Sequence, residues 1–135
     1  MIAVVDYGAG NVRSVINALD HIGRRAKLTR DAGEILAADA VILPGVGAFG
    51  DAASQLAASG AQEALFRFFE TGRPFLGVCV GLQLLFAHSQ ESPDARGLGV
   101  MPGEVKRIPA GQGRKVPHMG WNQLEIVRED PLFAG

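Results

Sequence analysis

Cysteine is nearly absent from this chain: Cys79 is the only one in 135 residues. A single thiol excludes an internal disulfide framework, and no charged-then-apolar leader opens the sequence, so the cytoplasm is the expected compartment. Net charge is nearly absent too. Thirteen Lys and Arg against 14 Asp and Glu leave a formal charge of -1, which removes the electrostatic footprint of a nucleic-acid binder. One local basic cluster, Arg24, Arg25, Lys27 and Arg30, reads as a solvated strand edge rather than a phosphate site. No apolar run approaches the roughly 18 residues needed to cross a bilayer, so no membrane association is expected. His21, His88 and His118 lie far apart and show no metal-ligand spacing with Cys79, and neither a metal nor another cofactor is expected.

What is present points to a single globular domain over residues 1–135. The composition is 47% hydrophobic and 20% charged with 18 glycines, a soluble chain with many tight turns and length enough for a real core. Ile2 to Val5 is a β-branched apolar run, followed by the turn Tyr7-Gly8-Ala9-Gly10. Asn11 then caps an amphipathic stretch with Val12, Val15, Ile16, Leu19 and Ile22 on one face, ended by Gly23. Ala26 to Thr29 and Val41 to Leu43 read as further strands, the latter cut off by Pro44 and a glycine-containing loop to Gly50. Ala61, Ala64, Leu65, Phe68 and Phe69 recur at helical spacing before Gly72, and Phe75 to Val78 is a fourth strand. This alternation, with strands apolar on both faces, predicts an α/β fold: a doubly wound, mostly parallel sheet with helices on both faces. Beyond Gly97, Glu104 to Ile108 and Gln123 to Val127 suggest antiparallel additions. The segment Asp130 to Gly135 supplies no closing strand or helix, and the domain is expected to be C-terminally incomplete.

Gly77-Val78-Cys79-Val80-Gly81 is the sequence shape of a nucleophile elbow. A strand that turns sharply into a helix presents its nucleophile at the turn, and the flanking residues must be small. A helix starting near Val80 and continuing through the run Leu82 to Ala87 would aim free N–H groups at the sulfur. This favours the thiolate of a side chain that otherwise titrates near roughly 8.5. The bland alternative is a buried, inert cysteine. In parallel sheets, sites gather beyond the carboxyl ends of the strands, where the Pro44 to Gly50 loop and Cys79 are expected to meet. The glycines of that loop allow a backbone N–H to face a developing oxyanion.

Other residues carry two readings each. Gly8-Ala9-Gly10 begins like a dinucleotide fingerprint, but Arg13 stands at the third glycine position, leaving a plain strand-to-helix turn as the simpler account. Gln83 lies one turn beyond Cys79, facing either the same pocket or solvent. Glu91 sits in a polar stretch as a solvated loop charge. His118 is a base for Cys79 or, between Pro117 and Met119-Gly120-Trp121, part of a fixed surface loop. Trp121 is either core or a partner anchor.

Four segments then converge. Asp6-Tyr7-Gly8-Ala9-Gly10-Asn11, Leu43 to Gly50, Gly77 to Phe86 and Lys115 to Asn122 resemble the glutaminase subunits of imidazole glycerol phosphate synthase, class I triad-type glutamine amidotransferases of histidine biosynthesis. The similarity runs from Ile2 to Gly135. It implies that Cys79 attacks the glutamine side-chain amide, releases ammonia and leaves a glutamyl thioester for hydrolysis. It further implies oxyanion donors at Val80 and the Val46-Gly47 peptide, and substrate binding by Gly47, Gln83 and Glu91. The implied partner is the cyclase subunit, a (βα)8 barrel that receives the ammonia in a heterodimer, with Asn11, Met119 and Trp121 turned toward it.

Two departures from the family pattern stand out. Val80 replaces the usual leucine, and the His-Pro-Glu segment that carries the family's catalytic histidine and glutamate is not in this sequence. The chain alone is therefore expected to have little activity. Another class I amidotransferase subunit, or a non-catalytic thiol sensor or docking module, are the alternatives.

Overall fold

The apolar runs at Ile2, Ala26, Val41 and Phe75 become strands and the amphipathic stretches at Val12 and Ala61 become helices, with strand and helix in strict alternation at first. β1 (Ile2–Val5), α1 (Val12–His21), β2 (Ala26–Thr29), α2 (Ala32–Ala37), β3 (Ala40–Gly45), α3 (Phe49–Ala58), α4 (Ala61–Glu70), β4 (Phe75–Cys79) and α5 (Val80–Gln83) follow one another in a computed structural model that describes residues 1–109, 111, 113 and 115–133. The four strands form one parallel sheet in the order β2-β1-β3-β4.

Side-chain alternation along the strands builds the two faces. Ala3 and Val5 of β1 and Val41 and Leu43 of β3 point into the main core, against Ile35 of α2, Phe49 and Leu56 of α3, and Leu65 and Phe68 of α4. Val4 and Ile42 point the other way, onto Leu19, Val15 and Ile16 of α1. Helices thus cover both faces of β1 and β3. Cover thins at β4, where Leu76 and Val78 pair in register with Ile42 and Pro44 yet stay 47% and 38% exposed.

Local chemistry sets the boundaries. The Asn11 side chain accepts from the Ser14 N–H at 3.2 Å to start α1, and Gly23, at φ 69°, follows its last turn. Helix α3 was not anticipated, and neither was α2. The signal for α2 is Asp31-x-x-Glu34, with Asp31 accepting from the Glu34 N–H at 2.9 Å. Two ion pairs, Lys27 with Glu34 at 2.6 Å and Arg30 with Asp6 at 3.0 Å, engage half of the basic cluster.

Four boundaries differ from the sequence reading. Pro44 does not end β3, which runs on to Gly45. The Val41 N–H points toward β4, donating to the Pro74 carbonyl, so by alternation the position of Pro44's missing N–H faces β1, whose pairing has already ended at Ile42. No ladder bond is lost. The following loop is only Val46 to Ala48, because α3 begins at Phe49. α5 stops at Gln83 instead of reaching Ala87, so its dipole is that of a single turn. Finally, neither Glu104 to Ile108 nor Gln123 to Val127 forms a strand among the described residues. Met101 and Val105 make isolated bridges to Phe86 and Ser89, parallel in sense rather than antiparallel. A 3-10 turn, Pro131–Phe133, follows; the last two residues of the Asp130 to Gly135 segment lie outside the described residues.

Candidate active site at the Cys79 turn

The strand-to-helix turn at Cys79 is strained and exposed. Cys79 has φ 56° and ψ -119°, and no other described non-glycine residue has a positive φ. Such a conformation costs on the order of 1–3 kcal/mol and persists only where its surroundings enforce it. The enforcing contacts are visible. A Cβ on Gly77 would sit 2.6 Å from Leu82 Cα, and one on Gly81 would collide with the Leu43 carbonyl oxygen. The two glycines are therefore small because strand, turn and helix pass against each other. A Cβ on Gly45, paired with Cys79 across the sheet, would meet the Gly81 nitrogen at 2.5 Å and the Tyr7 hydroxyl at 2.8 Å.

The thiol faces solvent, which removes the reading of a sealed hydrophobic cysteine. Val80, which follows it, is buried, and its N–H is the first of α5, where no intrahelical acceptor exists. Loop Val46 to Ala48 leaves the sheet beside this turn, with Val46 and Gly47 exposed and Gly47 at φ 87°. Gln83 closes α5, half-buried.

Tyr7 is a site neighbour that sequence reasoning passed over. Its hydroxyl donates to the Pro44 carbonyl at 2.8 Å while its ring is buried. Burial, and then the charge of a Cys79 thiolate, push its pKa up to about 12. The available signal was one phenol placed between a strand and a Gly-x-Gly turn. Those glycines have a structural cause: Gly8 and Gly10 stand at φ 92° and 115°, and a Cβ on Gly10 would press on Pro44 at 3.1 Å.

Glu91 is not a free loop charge. Its carboxylate accepts from the Phe49 N–H at 2.8 Å, and next to it Ser92 Oγ accepts from the Gly50 N–H at 3.1 Å. Together they cap α3, whose own N-cap residue, Ala48, offers no side-chain acceptor. Among the described residues no group of three or more His, Cys, Asp or Glu side chains is arranged to hold a metal ion.

Residues 3–135 match the glutamine amidotransferase class-I family. The chain belongs to that family. It is 49% identical, over its whole length, to imidazole glycerol phosphate synthase subunit HisH of Syntrophotalea carbinolica, covering 68% of that protein. It is also 54% identical to the subunit of that name from Moorella thermoacetica, over 99% of this chain and 63% of the relative. A chloroplastic Arabidopsis thaliana protein named imidazole glycerol phosphate synthase hisHF is 49% identical over 98% of the chain, which spans 22% of it. A crystal structure of a glutamine amidotransferase superimposes with a TM-score of 0.68 at 26% identity, covering 86% of this chain and 60% of the other. The chain thus spans about two thirds of the length of the bacterial relatives it matches.

In this amidotransferase chain the remaining candidates lie apart from the turn or on the surface. His21, His88 and His118 are all exposed, and none makes a side-chain hydrogen bond to Cys79. Asn11 is exposed while it caps α1. Met119 and Trp121 are 84% and 106% exposed, so Trp121 is no core residue.

Proposed function

We propose that this chain is the nucleophile-bearing part of the glutaminase subunit of an imidazole glycerol phosphate synthase. Cys79 attacks the side-chain carbonyl carbon of glutamine, the C–N bond breaks, ammonia leaves with a proton, and water cleaves the glutamyl thioester to glutamate. The observation that carries this reading is the enforced positive φ of an exposed cysteine between two glycines that admit no side chain. The Val80 N–H and, after a local rearrangement, the Val46-Gly47 peptide stabilise the tetrahedral oxyanion. Removing one such donor typically costs about 3 kcal/mol in the barrier. Gly47, Gln83 and Glu91 bind the substrate, the Glu91 carboxylate by accepting from the substrate's ammonium group.

Ammonia in neutral water is mostly protonated and no nucleophile, so the chemistry calls for a sealed route to a second active site. The named relatives support a cyclase partner in a heterodimer, with Asn11, Met119 and Trp121 at the contact. The exposed Trp121 supports this most directly, since tryptophan is a frequent hot spot. We place the protein in the cytoplasm, as one amidotransferase domain over residues 1–135 whose general base comes from a His-Pro-Glu segment absent from this sequence.

The test is glutamine hydrolysis in the presence of the cyclase barrel. The 135-residue chain is expected to turn over orders of magnitude more slowly than the same chain joined to the remaining third found in its relatives, since loss of the base in a triad enzyme costs on the order of a millionfold. Equal turnover by the two would show that the base lies within residues 1–135. No turnover by either would remove the glutaminase reading.

A further inference from the structure

Two hydrogen bonds join distant parts of the chain immediately behind the proposed oxyanion loop. The Phe49 and Gly50 N–H groups are the first two of α3, and they are satisfied by Glu91 and Ser92, across sequence separations of 42 residues each. The fit is close. A Cβ on Gly50 would lie 3.0 Å from Ser92 Oγ and 3.2 Å from Ser92 Cβ, so the serine rests against the backbone of the helix. The loop bearing the pair is itself braced: the Glu91 N–H donates to Ser89 Oγ, the Ser92 N–H to the Ser89 carbonyl, and the Ala95 N–H to the Ser92 carbonyl. Ser89 is only 3% exposed. On its other side, loop Val46 to Ala48 is held by Gly45, locked against Gly81 and the Tyr7 hydroxyl. Three residues, with Gly47 at positive φ, therefore hang between two fixed points.

We propose that Ser92 is a positioning residue for the glutaminase site: with Glu91 it clamps the start of α3 and so sets where the Val46-Gly47 peptide stands relative to Cys79. This rests on the function proposed above. The Glu91 carboxylate is shared, one oxygen on the Phe49 N–H and the other available to the substrate ammonium, so glutamine occupancy bears on the same clamp. Ser92 takes no part in substrate contact and acts only through α3.

The experiment uses Ser92→Ala and Ser92→Thr in the 135-residue chain joined to the remaining third found in its relatives, which supplies the proposed base, with two readouts. Backbone hydrogen exchange at Gly50 is expected to rise by up to about tenfold in Ser92→Ala, the equivalent of one lost hydrogen bond, and to return in Ser92→Thr. Capture of Cys79 by the diazoketone analogue of glutamine is expected to lose about tenfold in maximal rate with half-saturation within about twofold, again restored by threonine. Exchange with a small disulfide reagent, which reads the thiol alone, stays unchanged. Wild-type capture rates in Ser92→Ala overturn the proposal. So does an equal fall for both reagents in both variants, which marks general loosening. If the wild-type chain shows no capture that glutamine blocks, the glutaminase reading fails on its own, and unchanged Gly50 exchange in Ser92→Ala separately removes the clamp.

Discussion

The two ends of this chain treat apolar residues in opposite ways. Every buried hydrophobic side chain among the described residues lies between Ala3 and Leu98, packed on one face or the other of a four-stranded sheet. From Ile108 onward, Val116, Met119, Trp121, Leu124, Ile126 and Val127 stand exposed, with no strand or α-helix among the described residues to arrange them. The first region carries a complete elbow whose strain is enforced by contacts within it. The second contributes no described side chain to the core. In the function proposed above, presentation of the thiol belongs to the first region and recognition of a partner to the second.

Substitutions in each region should therefore act on different quantities, and the largest effect belongs to the elbow. Gly81→Ala drives a methyl group into the Leu43 carbonyl, a backbone atom that cannot swing aside. Urea denaturation is expected to show a loss of about 3 kcal/mol or more. A loss below about 0.5 kcal/mol would mean the turn has room that the geometry denies.

Tyr7→Phe comes next, at about 1–2 kcal/mol, because the buried Pro44 carbonyl loses its donor. It also has a pH signature. A folded-state pKa raised above the unfolded value near 10 means that the native chain holds its proton longer than the unfolded one. The associated stability is then intact below about pH 10 and is lost as pH rises toward 12. Tyr7 is the only tyrosine in the chain, so phenolate absorbance reads it directly. The alkaline loss should vanish in the phenylalanine variant.

Cys79→Gly should stabilise the fold by about 1 kcal/mol, since glycine occupies φ 56° without strain, while any thiol chemistry disappears. A destabilised glycine variant would show that the turn is not under strain. Trp121→Ala closes the series. It should change stability by less than about 0.5 kcal/mol, followed by circular dichroism, because the side chain is fully exposed. It should weaken association with the cyclase barrel, and unchanged affinity by calorimetry would remove Trp121 from the interface.

The same contrast governs what was legible in the sequence. β1, α1, β2, α4 and β4 announce themselves through periodicity, a cap at Asn11 and glycines after the helices, all local signals. The Cys79 turn was legible for the same reason, since the clearance demanded by close backbone passage writes itself as Gly77 and Gly81. What escaped depends on distant partners. β3 continues through Pro44 because β1's pairing has already ended there, and α3 starts at Phe49 because Glu91 and Ser92 cap it from across the fold. Arg73 ties α2 to the start of β4 by donating to the Leu36 carbonyl at 2.7 Å and to Ala38. α2 itself is six residues long, too short for a periodic signal. Glu104 to Ile108 has strand-like composition but pairs only through the isolated bridge of Val105 to Ser89, and Gln123 to Val127 forms no strand among the described residues; β-propensity expresses itself only against a partner strand.

Mass-spectrometric mapping of the chain after exposure to the diazoketone analogue of glutamine, with and without excess glutamine, tests the central claim most directly. One adduct at Cys79, suppressed by glutamine and not by glutamate's simple aliphatic analogues, is the predicted result. Modification that glutamine leaves unaffected would contradict a substrate site at this turn and return Cys79 to the status of an exposed thiol.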